Sequence, residues 1–372
     1  MKVFISIPWF FPAYKAGGPI QSIVNLVNNF TDGIEYNIFC GDVDLNNEPL
    51  QNIVKGEWVQ YNNYTKIWYA QKENLSDVLT TQIEILKPDV IYIIGLFDWH
   101  FNIVPLLFGK ASKKILSVRG MLHPGALTQK KWKKRIFLQA LKLFGIKSKI
   151  TFHATDSAEE VFVKNEFGDD ASVVVAGNFS KSVIKSDPLQ KEVGYLQMVT
   201  IALISPMKNH LQVLKGLTNC TANICYNIYG PVKDATYWKE CTEQIKLLPK
   251  NINVQYYGEL LPQNVENILK ENHVFIMPSK SENFGHSIAE ALAAGKPVIT
   301  SHTTPWNDLQ QHNSGINLQA TQEEICNAVN FFASLNNNEY KKYTDAARKY
   351  SDDRINKNEK INAYKKLFFN KV

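Results

Sequence analysis

Two glutamates eight residues apart, Glu282 and Glu290, stand in the run Pro278–Ser301, PSKSENFGHSIAEALAAGKPVITS. Glu282 falls in a polar loop and Glu290 on an apolar-periodic helix. Between them, Asn283, Phe284 and Gly285 lead to the helix start. Backbone amides at a helix start carry partial positive charge and have no partner within the helix, so they can hold an anion. Carboxylates beside them can accept hydrogen bonds from hydroxyls. A sugar nucleotide presents both hydroxyls and phosphate. Either glutamate alone reads better as a helix-opening charge or a surface residue, so the reading rests on their combination.

Four other places carry candidate chemistry. Ala16-Gly17-Gly18-Pro19 follows the apolar run Val3–Ile7, where paired glycines let backbone amides approach a ligand without a side chain in the way. Lys208, in Ser205–His210, follows Val199–Ile204 and could meet a phosphate. Arg119 and His123 follow Ile115–Val118, and His100 lies beyond Val90–Ile94. For the two histidines a packed or surface imidazole is the commoner role.

The elements that must position these residues alternate regularly. Short β-type runs at Val3–Ile7, Ile38–Cys40, Ile67–Tyr69, Val90–Ile94, Ile115–Val118, Thr151–Ala154 and Ser172–Val175 predict strands. Helical spacing at Pro19–Phe30, Ser76–Leu86 and Gln129–Phe144 falls between them. The stretch Asn178–Leu196 has no clean period and reads as a linker. Alternation then resumes with strands predicted at Val199–Ile204, Ile224–Tyr229, Val254–Tyr257, Val274–Met277 and Pro297–Thr300. Gly295 stands where a helix ends. Strands alternating with helices imply α/β units with parallel sheets. The division is a first domain over 1–180, a second over 196–351, and a C-terminal helix over 352–372 that could cross back to the first.

Composition agrees with two globular units: 372 residues, 45% hydrophobic and 20% charged. Five scattered cysteines show no zinc spacing and fit reduced thiols. The N-terminus MKVFISIPWFFP, broken by two prolines, fits a buried strand better than a secretory signal. No window is as long and apolar as the roughly 18 residues a membrane span needs. Those features predict a cytoplasmic protein.

The run SENFGHSIAEALAAGKPVI resembles the E-x7-E segment of retaining glycosyltransferases, and glycosyltransferase family four in particular. That resemblance implies a GT-B architecture, two Rossmann-like doubly wound domains facing across a cleft. It further implies that Glu282 contacts the donor sugar, Glu290 the nucleotide ribose, and the amides around Asn283, Phe284 and Gly285 the sugar and diphosphate. The Gly17–Gly18 loop would face the diphosphate, and Lys208 would neutralise it as it departs. The family's usual arginine is missing, with Leu203 at about its position. Arg119, standing where the family often has a histidine, could supply that charge, and His123 and His100 could serve the acceptor side. Retention, a nucleotide-sugar donor, a glycan or lipid-linked acceptor, and no cofactor or metal are the implied chemistry. A related sugar-nucleotide epimerase or hydrolase, or a non-catalytic sugar-nucleotide-binding protein, would reuse the same contacts.

Charge adds an expectation about location. The net charge is +6, yet Trp99–Thr155 holds twelve Lys and Arg and no acid, leaving 29 basic against 35 acidic residues elsewhere. Within it, Lys130–Lys149 combines cations with Trp132, Ile136, Phe137, Leu138, Leu141, Leu143 and Phe144. Such a helix could lie on an anionic membrane, or it could be an ordinary core helix with a solvated basic face. Peripheral attachment at the inner face of the membrane is the expectation. A dinucleotide oxidoreductase would need G-x-G-x-x-G after a strand, which neither half has. No stacking-rich or helix-turn-helix pattern supports nucleic-acid binding.

Overall fold

Val3, Phe4 and Ile5 are fully buried, and so is the run Val90–Ile94. Short apolar runs like these suit strands covered on both faces, and both lie at the centre of one sheet. The computed structural model describes residues 1–127, 131–181, 189–354 and 357–369. They form two units, Met1–Phe179 with Lys357–Val372, and Ser180–Asn356.

The first unit contains strands β1 (Lys2–Ser6), β2 (Glu35–Gly41), β3 (Trp58–Asn62), β4 (Thr65–Ala70), β5 (Val90–Ile94), β6 (Lys113–Ser117), β7 (Thr151–Ala154) and β8 (Val173–Val175). Their order is β3-β4-β2-β1-β5-β6-β7-β8. Every described pairing is parallel except β3 with β4. The edge strand β3 is absent from the sequence reading, because its alternation W-V-Q-Y-N is short and only partly buried. Helices α1 (Gly18–Asn29), α2 (Leu75–Leu86), α3 (Val104–Phe108), α4 (Pro124–Leu127), α5 (Lys131–Leu143) and α6 (Ser157–Phe167) connect the strands.

Side chains alternate across the sheet. Phe4, Ile91 and Ile93 face a core shared with α2, α3, α5 and α6. Val3, Ile5 and Tyr92 face one shared with α1 and the chain's last helix. From that helix Tyr364, Leu367 and Phe368 enter the core at i, i+3 and i+4. Phe368 stacks on Phe30 at 6.1 Å.

The second unit contains β9 (Tyr195–Ile201), β10 (Asn223–Tyr229), β11 (Ile252–Tyr256), β12 (Val274–Met277), β13 (Val298–Ser301) and β14 (Gly315–Leu318). Its helices are α7 (His210–Leu217), α8 (Ala235–Lys246), α9 (Val265–Lys270), α10 (His286–Ala293), α11 (Gln322–Ser334) and α12 (Asn337–Arg354). The chain then passes to α13 (Lys357–Phe369), which belongs to the first unit. The sheet is parallel with order β11-β10-β9-β12-β13-β14. Helices α7, α8 and α11 cover one face, and α9, α10 and α12 the other. The order reverses between β9 and β12, where a doubly wound sheet opens a ligand crevice at its carboxyl edge.

The boundaries differ from the sequence reading. The first unit ends at Phe179, and Asn178 and Phe179 are buried within it. Residues 182–188 of the expected linker lie outside the described residues, but Lys191 is buried in the second unit. Its Nζ donates to Ala333 O at 2.9 Å and Leu335 O at 3.3 Å, closing the end of α11. A polar, aperiodic segment thus packs because its cation satisfies helix carbonyls. The second unit also runs past residue 351, since α12 continues to Arg354.

Candidate functional site

At the sheet reversal, the loop after β9 and the loop after β12 lie side by side and are stitched together. Lys280 N and Ser279 Oγ both donate to Met207 O at 2.9 Å. Asn209 Nδ2 donates to Pro278 O at 3.1 Å. Asn209 sits in the left-handed region at φ 65° and starts α7. This bracing brings Lys208 Nζ against Glu282 Oε1, an ion pair between residues 74 positions apart. Glu282 keeps only 10% of its side chain exposed and Lys208 21%.

Beyond Glu282 the loop turns into α10 at Gly285, whose φ of 76° is strained for any residue with a Cβ. A Cβ there would also stand 3.2 Å from Ile288 Cδ1. Gly295, at φ 75°, ends α10 in the same conformation. Asn283, Phe284 and Gly285 therefore lead directly into the helix that carries Glu290. Burial pushes the Glu290 carboxyl up to about 7, with Lys181 pulling the other way.

His210, the first residue of α7, is not among the sequence candidates. It is buried, and both ring nitrogens lack a partner among the described residues. Burial, assisted by neighbouring Lys208, lowers it to about 3, so the ring is neutral. A histidine beside a strand-end lysine was visible in sequence, but its burial was not. Leu203 gives the site no cation in place of the expected arginine.

The remaining candidates belong to the first unit. Gly17 has φ 79° and ψ −128° and opens α1, with Gly18 as the first helical residue and Pro19 in the first turn. Nothing stands within 4 Å of where a Gly17 Cβ would be, so the backbone there is open. His100 lies on the turn Trp99–Ile103, its Nδ1 2.7 Å from Ser76 Oγ. His123 accepts from Gly125 N at 3.1 Å and packs edge-on against Phe162. Both imidazoles have partners within their own unit.

Arg119 corrects the expectation of a phosphate-binding cation. It is buried, donating from Nη1 to Asn178 Oδ1 at 2.6 Å and from Nη2 to Tyr92 OH at 2.9 Å. Tyr92 OH lies 2.7 Å from His153 Nδ1, and His153 Nε2 2.8 Å from Ala176 O. The carbonyl fixes the proton on Nε2, so the tyrosine hydroxyl donates to Nδ1. Burial and Arg119 push His153 down to about 3, keeping it neutral. The guanidinium is committed to this interior network.

The basic tract also divides. Lys130 lies outside the described residues. Leu138 and Leu141 on α5 are buried, and Phe137 packs on Phe97 at 5.4 Å. Lys134 donates to Ala126 O and lies over the Phe97 ring. Lys110, Lys142 and Lys147 pair with Glu84, Glu166 and Asp170, acids outside the tract. Yet Trp132 is 77% exposed and Leu143 87%, with Ile136 and Phe144 exposed as well. At about 100° per residue, Trp132, Ile136 and Leu143 fall within about 40° of one another, flanked by exposed Lys133 and Arg135. No helix among the described residues is long and apolar enough to cross a membrane.

Residues 184–350 match the family model of glycosyl transferases group 1. The chain is also similar in structure to the HepE protein of Anabaena solved with UDP-glucose. That likeness has a TM-score of 0.73 at 14% identity, over 99% of both chains. Sucrose-phosphate synthase from Thermosynechococcus elongatus gives a TM-score of 0.71 at 14% identity, over 99% of this chain and 98% of that one. WaaG, a glycosyltransferase involved in lipopolysaccharide biosynthesis, gives 0.69 at 10%, over 99% of both. These likenesses show the fold alone: the GT-B fold, with two Rossmann-like units. Comparison with curated proteins by sequence finds no match.

Proposed function

We propose that this glycosyltransferase, whose group 1 domain spans residues 184–350, moves a hexose-type sugar from a nucleotide-sugar donor to a hydroxyl of a glycan or lipid-linked acceptor, with retention of configuration. The observation that carries this reading is the Lys208–Glu282 pair at the sheet reversal, with Glu282 in the loop that leads into the helix of Glu290. Glu290 accepts from the nucleotide ribose, and the Asn283–Gly285 amides meet the diphosphate. Glu282 holds the donor sugar's hydroxyls. As the bond from the anomeric carbon breaks, its electron pair leaves with the diphosphate, and Lys208 stabilises the growing charge. The acceptor hydroxyl attacks from the same face and passes its proton to the departing phosphate oxygen. The chemistry as written needs no metal.

HepE and its UDP-glucose make UDP-hexoses the first donors to try. WaaG's part in lipopolysaccharide biosynthesis favours a cell-envelope acceptor. Melting curves with UDP-, GDP- and ADP-sugars should show one donor class raising the Tm. NMR of the transfer product should show the donor's anomeric configuration. If no donor shifts the melt, or the product is inverted, the reading fails. A changed sugar nucleotide formed without acceptor would favour an epimerase.

The exposed face of α5 supports a location for this chemistry: the enzyme docks from the cytoplasm on an anionic bilayer. Trp132, Ile136 and Leu143 enter the headgroup region, and Lys133 and Arg135 add about 1 kcal/mol each near an anionic surface. Co-sedimentation with vesicles should rise with anionic lipid and fall with salt, because the attraction is screened within about 8 Å at physiological ionic strength. The triple variant Trp132→Ser, Lys133→Gln, Arg135→Gln should stay in the supernatant. Wild type that stays there at low salt would remove the membrane from this account.

A further inference from the structure

The end of β13 and the segment after it grip the donor loop at both ends. Ser301 Oγ donates to Ser279 O, and Thr303 Oγ1 donates to the same carbonyl at 2.9 Å. At the far end Trp306, 3% exposed, donates from Nε1 to Phe284 O at 2.6 Å. Trp306 is itself held firmly. Asn317 Nδ2 donates to its carbonyl at 2.7 Å, while Asn317 Oδ1 accepts from Leu309 N. The Arg354 guanidinium lies over the indole at 5.5 Å, and Arg354 Nη1 donates to Pro305 O at 2.9 Å.

We propose that Trp306 is a positioning residue that aims the Gly285 N–H at the donor diphosphate. Phe284 O and Gly285 N–H belong to one planar trans peptide, so they point in opposite directions. Drawing the carbonyl onto the indole turns the N–H the other way. That N–H meets no acceptor among the described residues, and it stands at the start of α10, where the helix favours an anion. Gly285 supplies the φ of 76° that this turn needs, a conformation strained for any residue with a Cβ. A buried indole N–H needs an acceptor, and here the acceptor is the carbonyl of the peptide that opens α10. Arg354, two residues before the end of the second unit, covers the same ring, so the brace extends to the point where the chain leaves that unit.

The proposal rests on the reading of Ser279–Gly285 as the donor loop, and the test separates the two. Trp306→Phe keeps an aromatic ring under Arg354 but cannot donate. Its affinity for the nucleoside diphosphate that binds best among UDP, GDP and ADP should fall roughly tenfold in calorimetry, with turnover falling too. In wild-type protein labelled with 15N-glycine, that diphosphate should shift the Gly285 amide resonance, and the shift should be lost in the variant. The wild-type titration decides the matter even where the variant folds poorly. Wild type that binds none of the three overturns the donor-loop reading and this proposal with it. Wild type that binds while the Gly285 resonance stays put, or a variant that binds as tightly as wild type, overturns the positioning role alone.

Discussion

Lys208→Ala is expected to lower turnover by roughly 10²–10³-fold, the range for losing one preorganised contact to charge that develops in the transition state. Glu282 holds the ammonium at the mouth of the crevice before any ligand arrives. Little reorganisation is then needed when the diphosphate begins to leave, which is what makes such a contact effective. The loss should fall mainly on kcat, with a smaller change in donor KM. If KM rises and kcat is unchanged, Lys208 binds ground and transition states equally and the assignment of its role is wrong. Glu282→Gln in the same background separates the two effects. The neutral amide relieves the carboxylate stranded by the loss of its partner but restores no positive charge, so stability should recover without turnover. Arg119 should not compensate, because its guanidinium is committed to Asn178 and Tyr92.

Removing the Glu290 carboxylate should weaken nucleoside diphosphate binding by roughly 10–100-fold at pH 8, in line with about 1.5–3 kcal/mol for hydrogen bonds to a charged acceptor. Calorimetry on Glu290→Ala measures it, and unchanged affinity would end the ribose assignment. The pH dependence gives a second reading. Burial holds this carboxyl at about 7, against a usual 4.5. Ribose hydroxyls donate best to the ionised form, so wild-type affinity should climb as pH rises through about 7 and level off above it. Glu290→Gln should lack that step. Stability runs the other way. Between about 4.5 and 7 the folded chain keeps a proton that the unfolded chain has shed, so stability falls as pH rises across that window. Glu290→Gln should therefore gain in Tm over wild type at pH 8, and the gap should close toward pH 4.

Local sequence made the strand, loop and helix that carry Glu282 and Glu290 readable. The run Val274–Ser301 keeps strand, loop, helix and strand in one continuous segment. Gly285 at φ 76° and Gly295 at φ 75° punctuate its helix. Glu282, Gly285 and Glu290 could be placed on a loop and its following helix, because a short loop and about a turn and a half of helix leave little freedom in where eight residues go. The Gly17–Gly18 turn into α1 was readable for the same reason: conformational need is written in the residue that meets it.

The fold decided what depends on distant segments meeting. Lys208 reaches Glu282 only because β9 and β12, far apart in the chain, become neighbours where the sheet order reverses. Arg119 looked like a cation at a strand end, but Tyr92 from β5 and Asn178 from the end of the unit draw it inward. The apolar residues of α5 looked alike in sequence, yet packing took Leu138 and Leu141 and left Trp132, Ile136 and Leu143 outside. Trp306 carried no local signal at all, since its meaning lies in a carbonyl 22 residues away. Periodicity and turn chemistry act within a few residues, where the backbone itself limits the choices. Burial and ion pairing depend on which surfaces the folded chain brings together.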